Sequence, residues 1–249
     1  MVNKMTQTVW KAGLIGLTAL ALAGTAHAAK YKEVAVENGG SITGQVSIGS
    51  AEVKSQEYVI AKDPHICGTG TRVVRQVRSN GGALLDAVVY LDKVPEGKAF
   101  ADESRKITVN QEKCGFEPYL SVMVNEGELE AVNSDPTLHN IHTYELIGRA
   151  RRTVLNISQP DQGNRVTKKI KLRKGVAMKV ECDAHDFMHA FVFVARNPYF
   201  AKVDDAGRFE IGDVPPGKYV IKVWHGTLGE QIGEIEVSGD ASQTVNFSF

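Results

Sequence analysis

Residues 176–194, VAMKVECDAHDFMHAFVFV, narrow the possible folds of this chain more than any other stretch. Apolar residues alternate in its first half, and its last residues are β-branched and aromatic, so both flanks are predicted to be strands. Between the flanks, a thiol, an imidazole and a thioether are spaced C-x2-H-x2-M at Cys182, His185 and Met188. These three groups are therefore expected together in the tight connection between two strands.

Such donors indicate a soft metal. A thiolate, neutral imidazoles and a weak axial thioether are the ligands of copper electron-transfer sites. One further imidazole is needed, and His139 is the candidate. It lies in residues 133–140, NSDPTLHN, after a short apolar stretch.

An Asn a few residues before a His-Asn pair, followed by a short Cys-His-Met loop, resembles the plastocyanin and amicyanin group of cupredoxins. The loop is most similar to that of amicyanin, which points to amine-oxidising chains such as methylamine utilisation. The resemblance implies that His139, Cys182, His185 and Met188 bind one copper ion, as Cu(I) or Cu(II). It also implies that Asn140 steadies the cysteine loop.

The same resemblance implies a function. The chain is expected to be a type 1 (blue) copper protein that carries one electron at a time, and not an enzyme. Its partners would be redox proteins of the periplasm, docking through small, short-lived interfaces with a monomer. Asp186 stands where such loops commonly have Pro, which bears on the potential and on the partner-facing surface. The alternative is a copper-storage, copper-delivery or structural binding module.

Zinc is the rival metal. Cys182, His185 and His189, with His139 or His142, contain enough donors for a tetrahedral set. His185 and His189 would share a face only on a helical turn, whereas the flanks predict strands. His225, at the end of a predicted strand, is interpreted as packing between domains.

The first residues predict export. In residues 1–28, Lys4 and Lys11 precede an apolar run, and Ala26-His-Ala28 gives an A-x-A cleavage site, as in a secretory signal peptide. The run is too short to span a bilayer comfortably, so no membrane span is expected after cleavage and the location would be periplasmic or secreted.

The chain has 29 basic and 29 acidic residues, a balance that gives no sign of nucleic-acid binding.

Export also changes how the three cysteines are interpreted. In an oxidising compartment cysteines tend to pair, and an odd one needs an explanation. Cys67 and Cys114 each precede a glycine in a loop-like setting. They are predicted to form a disulfide, with Cys182 left as the copper thiolate. The alternative is that all three are free.

Short strand-like runs separated by turn signals predict an all-β protein of two β-sandwich domains. Near the C-terminus, an Asp-Asp-Ala-Gly turn and the sequence VPPGKY, each followed by an alternating run, resemble carboxypeptidase regulatory-like domains of the transthyretin-like or carbohydrate-binding-like sandwich group. In that family an I-x-G-x-V strand and an A-x-V-x-L strand come first. Here they match residues 42–46 and 87–91, far upstream.

A discontinuous sandwich of residues 30–98 and 198–249 is therefore expected. A Greek-key cupredoxin-like domain of residues 105–196 would be inserted in it. Two consecutive domains that divide near residue 198 are the alternative. Residues 48–82 are polar and contain glycine, so a long connection is expected there.

Overall fold

The structure, a computed structural model, describes residues 31–249, and the predicted signal peptide of residues 1–28 lies outside the described residues. The first strands are β1 (Lys32–Glu33), β2 (Gly40–Ser47), β3 (Ser55–Val59), β4 (Thr71–Arg75), β5 (Ser79–Asn80), β6 (Ala83–Leu84), β7 (Ala87–Leu91) and β8 (Glu96–Gly97). One helical turn, α1 (Pro64–Cys67), lies between β3 and β4, which pair antiparallel. The connection expected over residues 48–82 thus contains a hairpin. Its strands lie at the surface and bury few side chains, so its hydrophobic period is weak.

The middle of the chain forms one sandwich. After a 3-10 turn (Asp102–Ser104), its strands are β9 (Lys106–Gln111), β10 (Phe116–Glu117), β11 (Leu120–Val124), β12 (Glu128–Asn133), β13 (His139–Ile147), β14 (Ala150–Gln159), β15 (Arg165–Lys169), β16 (Ala177–Glu181) and β17 (His189–Ala195). One sheet has the order β10-β9-β12-β15 and the other β11-β17-β16-β13-β14. Leu129 and Ala131 of the first sheet and Ile141 and Met178 of the second lie in one buried core.

Strands from both ends of the described chain form the second sandwich. The last strands are β18 (Phe200–Lys202), β19 (Arg208–Val214), β20 (Gly217–His225), β21 (Gly229–Val237), β22 (Ser242–Thr244) and β23 (Phe247–Ser248). One sheet has the order β18-β7-β20-β21, and the other β19-β2-β6-β5, with β22 and β23 also on β2. Ile42 is paired with Ile211, and Val89 with Val223. The all-β class with two sandwiches is confirmed.

The two sandwiches pack against each other through an apolar cluster between them. Val88, Tyr90 and Trp224 of the second sandwich meet Phe191 and Phe193 of the first. Successive residues of a strand point to opposite faces, so β7 and β17 are each buried on both faces. This explains why AVVYL and AFVFV are continuous apolar runs rather than alternating ones. Within residues 31–249, no helix has the length and hydropathy that a membrane crossing needs.

Candidate metal centre

Residues 182–188 form the loop between β16 and β17, as predicted from the two flanking strand patterns. The loop closes on itself through its backbone. The N–H of His185 donates to the carbonyl of Cys182 over 3.3 Å, and the N–H of Met188 donates to that of His185 over 3.0 Å. The N–H of Cys182 donates to the carbonyl of Met188 over 3.4 Å. His139 is the first residue of β13, which pairs with β16, so it lies beside this loop.

Three donor atoms converge in the interior. Nδ1 of His139 and Nδ1 of His185 are 3.1 Å apart, and Sγ of Cys182 lies 3.8 Å from the first and 3.7 Å from the second. These three residues form a group whose ligand atoms could hold a metal ion. The three side chains are buried, and Met188 is buried in the same core cluster.

Each imidazole is held from its far side by a carboxylate. Nε2 of His139 is 2.8 Å from Asp135, and Nε2 of His185 is 2.9 Å from Asp63. A carboxylate only accepts hydrogen bonds, so each Nε2 carries a proton, and Nδ1 of the neutral ring presents a lone pair. Two lone pairs that face each other at 3.1 Å repel unless a proton or a metal ion lies between them. The donor set of two imidazoles, a thiol and a thioether therefore fits a soft metal ion.

Asp135 belongs to a tightly bonded loop. It accepts hydrogen bonds from the backbone N–H groups of Lys113 and Cys114 over 2.7 and 2.8 Å. Its own N–H donates to the side-chain oxygen of Asn133. The buried Asn133 amide in turn donates to the carbonyl of Thr137. The loop that precedes His139 is thus held from several sides.

Cys182 lies in an apolar setting with backbone donors. Burial raises the pKa of its thiol, and hydrogen bonds from the N–H groups of Asn140, Ala184 and His185 oppose that rise. The N–H of Asn140 is 3.5 Å from Sγ. The Asn140 side chain also accepts the N–H of Asp183 over 2.6 Å, so it bridges β13 to the cysteine loop. Metal binding needs the thiolate and would displace this proton.

The β3–β4 hairpin and α1 form a cap over the site, and the cap belongs to the chain segment between β2 and β5. Cys67 and Cys114 form a disulfide, and Cys182 is a free, buried thiol. The Arg72 guanidinium lies 4.6 Å from the ring centre of Phe187 and donates to the carbonyls of Cys67 and Cys114. The side chain of His185, which Asp63 of this cap contacts, is 0% exposed.

The other histidines named as possible ligands have different partners. His142 lies 3.0 Å from Asp183 and stacks on Tyr144. His189 contacts the hydroxyl of Tyr119 at 3.1 Å, and burial lowers its pKa to about 4. Nδ1 of His225 accepts two backbone N–H groups, and its buried Nε2 has no hydrogen-bond partner among the described residues. No metal-holding group in residues 31–249 includes any of the three.

Sequence reasoning missed two residues of the site, Asp63 and Asp135. Asp135 had a signal, because it stands four positions before His139 in the segment already singled out. Asp63 had none: 122 positions separate it from His185, and it lies in a segment interpreted as a connection.

No family model and no curated protein matches the chain. Solved structures similar to part of it include a purple cupredoxin from Nitrosopumilus maritimus, 14% identical over 35% of this chain and 98% of that one, with a TM-score of 0.30. A reduced Cu(I) amicyanin mutant is 19% identical over 38% of this chain and 85% of that one, at 0.29. A copper-containing nitrite reductase from Thermus scotoductus is 10% identical over 58% and 43%, also at 0.29. At these TM-scores the likenesses carry no argument about function.

Proposed function

We propose that this chain is an exported type 1 copper protein that carries single electrons. The observation that supports it is the convergence of two Nδ1 atoms and one Sγ atom, all within 3.8 Å of one another in a buried site. His139, Cys182 and His185 are proposed as the equatorial ligands and Met188 as the weak axial one. Bound copper would supply a one-electron change of valence that needs no gain or loss of ligand.

The protein's own contribution is to hold the donors still. The backbone bonds of residues 182–188, the Asn140 bridge and the two carboxylates restrain the loop and both rings. Burial of the four side chains keeps water away from the donors. A set of donors that does not move between valence states gives a small reorganisation cost.

The domain division belongs to the same proposal. We assign residues 105–196 to the cupredoxin-like domain, which carries the four ligands. We assign residues 30–98 and 198–249 to a carboxypeptidase regulatory-like sandwich, supported by the pairing of β2 with β19 and of β7 with β20. We expect a periplasmic or secreted monomer with transient redox partners, and no enzymatic activity, because four protein ligands leave no open position for a substrate.

A copper-storage module is the second candidate. The cap over His185 favours it, because a redox partner cannot touch a ring that is 0% exposed, whereas a covered ion is retained. The rate of electron self-exchange between oxidised and reduced copper forms separates the two functions. Fast exchange supports a carrier, and slow exchange with slow loss of copper to a chelator supports storage.

Titration of the metal-free protein with Cu(II) tests the proposal, with absorption followed across the visible range. One equivalent should produce an intense band of thiolate-to-copper charge transfer, since Cys182 is placed as an equatorial ligand. The same titration in the presence of Zn(II) shows which of the two metals the protein binds in preference. A protein that stays colourless and takes zinc in preference would contradict the proposal.

A further inference from the structure

We propose that Asp63 and Asp135 are positioning residues of the copper centre, each orienting one imidazole ligand so that its Nδ1 faces Cys182. The proposal rests on the proposed function and adds residues to it. Both carboxylates contact Nε2, the nitrogen of each ring that faces away from Sγ of Cys182. Neither contacts the donor atoms directly.

Asp63 uses its side chain in an unusual way. It is the N-cap residue of α1, where an Asp side chain normally accepts an N–H of its own helix. Here it makes no such bond, and only its backbone carbonyl accepts the N–H groups of Ile66 and Cys67. Its carboxylate instead contacts His185. Its φ of 49° is in the left-handed region, which Asp tolerates better than most residues. The local chain is thus shaped to direct this carboxylate away from its own helix.

Asp135 is more deeply enclosed. It is 5% exposed and has three donors: the N–H groups of Lys113 and Cys114, and Nε2 of His139. Two of these three donors are backbone N–H groups, so the position of this buried carboxylate is set by the backbone around it. It therefore restrains the ring of His139 rather than following it.

One covalent bond joins the two carboxylate-bearing segments. Cys114 donates its N–H to Asp135, and Cys67 donates its N–H to the carbonyl of Asp63. The Cys67–Cys114 disulfide connects these two residues directly. Arg72 also links the two segments, since its guanidinium donates hydrogen bonds to the carbonyls of both cysteines. Both imidazole rings are thus oriented from a single cross-linked unit, which joins the cap to the first sandwich.

A carboxylate on the far nitrogen of a ligand imidazole fixes its tautomer and raises its basicity, and loss of such a partner typically costs about 10- to 100-fold in metal affinity. A more basic donor favours the higher valence state. If Cu(II) affinity falls about tenfold relative to Cu(I), the reduction potential rises by about 59 mV for a one-electron couple. Loss of Asp63 should therefore raise the potential.

The test uses full-length protein with Asp63→Ala, Asp63→Gly and the control Asp186→Asn. Asp186 is an exposed carboxylate in the same loop as His185, and among the described residues it makes no hydrogen bond to a ring. Nitrogen NMR of the metal-free proteins reads the tautomer of His139 and His185, and voltammetry of the copper-loaded proteins reads the potential. If Asp63→Ala does not fold, Asp63→Gly removes the same carboxylate at a position whose positive φ suits glycine.

We expect Nε2–H on both rings of the metal-free wild type, and a shift of the proton from Nε2 to Nδ1 at His185 alone in the Asp63 variants. Their potential should rise by about 59 mV or more, with a much smaller rise for Asp186→Asn. Absence of Nε2–H on His185 in the metal-free wild type would overturn the proposal, as would Asp63 variants that match Asp186→Asn in both readouts. The NMR result stands whether or not copper binds, so failure of the copper assignment is recognised separately.

Discussion

Nε2 of His185 lies 2.9 Å from a carboxylate oxygen of Asp63, although 122 positions separate the two residues in the chain. The contact joins the metal loop to the cap that precedes β7. One consequence is that the ring of His185 has no face open to solvent. A second is that the proposed copper centre depends on residues outside 105–196, even though all four proposed ligands lie within that range.

The first prediction concerns the sulfur ligands. Cys182→Ser should abolish the visible copper band, because the thiolate is the source of the charge transfer. Met188→Leu should keep the colour and raise the reduction potential, because it removes an axial donor while retaining volume. Met178→Leu is the matched control, since Met178 is equally buried in the same core but lies on β16. Absorption and voltammetry measure both effects, and an unchanged potential in Met188→Leu would show that Met188 is not a ligand.

The second prediction concerns the disulfide. Peptide mapping without reduction should recover Cys67 and Cys114 joined and leave Cys182 open to alkylation once metal is removed. The cysteines are 47 positions apart, and closing such a loop stabilises by about 4 kcal/mol on the chain-entropy model. Replacing both with Ser should lower the free energy of unfolding by about that amount, measured with urea. Recovery of Cys182 in a native disulfide would remove the proposed thiolate ligand.

The third prediction is a pH dependence of stability. Burial raises the pKa of Glu145, but hydrogen bonds from the backbone N–H groups of Arg173, Lys174 and Gly175 and from Arg152 outweigh it, and the pKa falls from 4.5 to about 2. A carboxyl with a lowered pKa stabilises the folded state above its unfolded pKa, and this contribution is lost as the pH falls through the folded pKa. The difference corresponds to about 3 kcal/mol.

Glu145→Gln should therefore lower the free energy of unfolding at pH 7 and flatten its fall between pH 4.5 and about 2. Urea unfolding at several pH values measures both effects. The control is Glu128→Gln, since Glu128 is exposed on β12. If Glu145→Gln and Glu128→Gln behave alike at every pH, the bonded carboxylate at position 145 does not stabilise the fold.

The fourth prediction concerns the proposed domain division. A fragment of residues 198–249 should not fold, because β19 pairs with β2 and β20 pairs with β7, and the fragment lacks both partners. Circular dichroism of this fragment, followed as the temperature rises, should show no cooperative melting. A fragment of residues 105–196 retains both sheets of its sandwich, but it exposes Phe191 and Phe193 and lacks Asp63. A soluble, cooperatively melting 198–249 fragment would show that the two domains are consecutive.

Much of the local structure could be predicted from the sequence. The strands on either side of residues 182–188 follow from a period of two and from a β-branched, aromatic run, both local signals. The all-β class followed from many such runs. The hairpin of β3 and β4 escaped prediction because it buries few side chains, so its composition resembles that of a loop.

By itself, the sequence determined which donor types are available. The spacing C-x2-H-x2-M places a thiol, an imidazole and a thioether in one short loop, and this does not depend on the surrounding structure. Tertiary structure alone decided which nitrogen of each imidazole faces Sγ of Cys182. That choice depends on Asp63 and Asp135, which touch the rings from outside the loop. Ring orientation is set by hydrogen bonds to the far nitrogen, and such partners come from any segment that folding brings within about 3 Å, however distant in the chain.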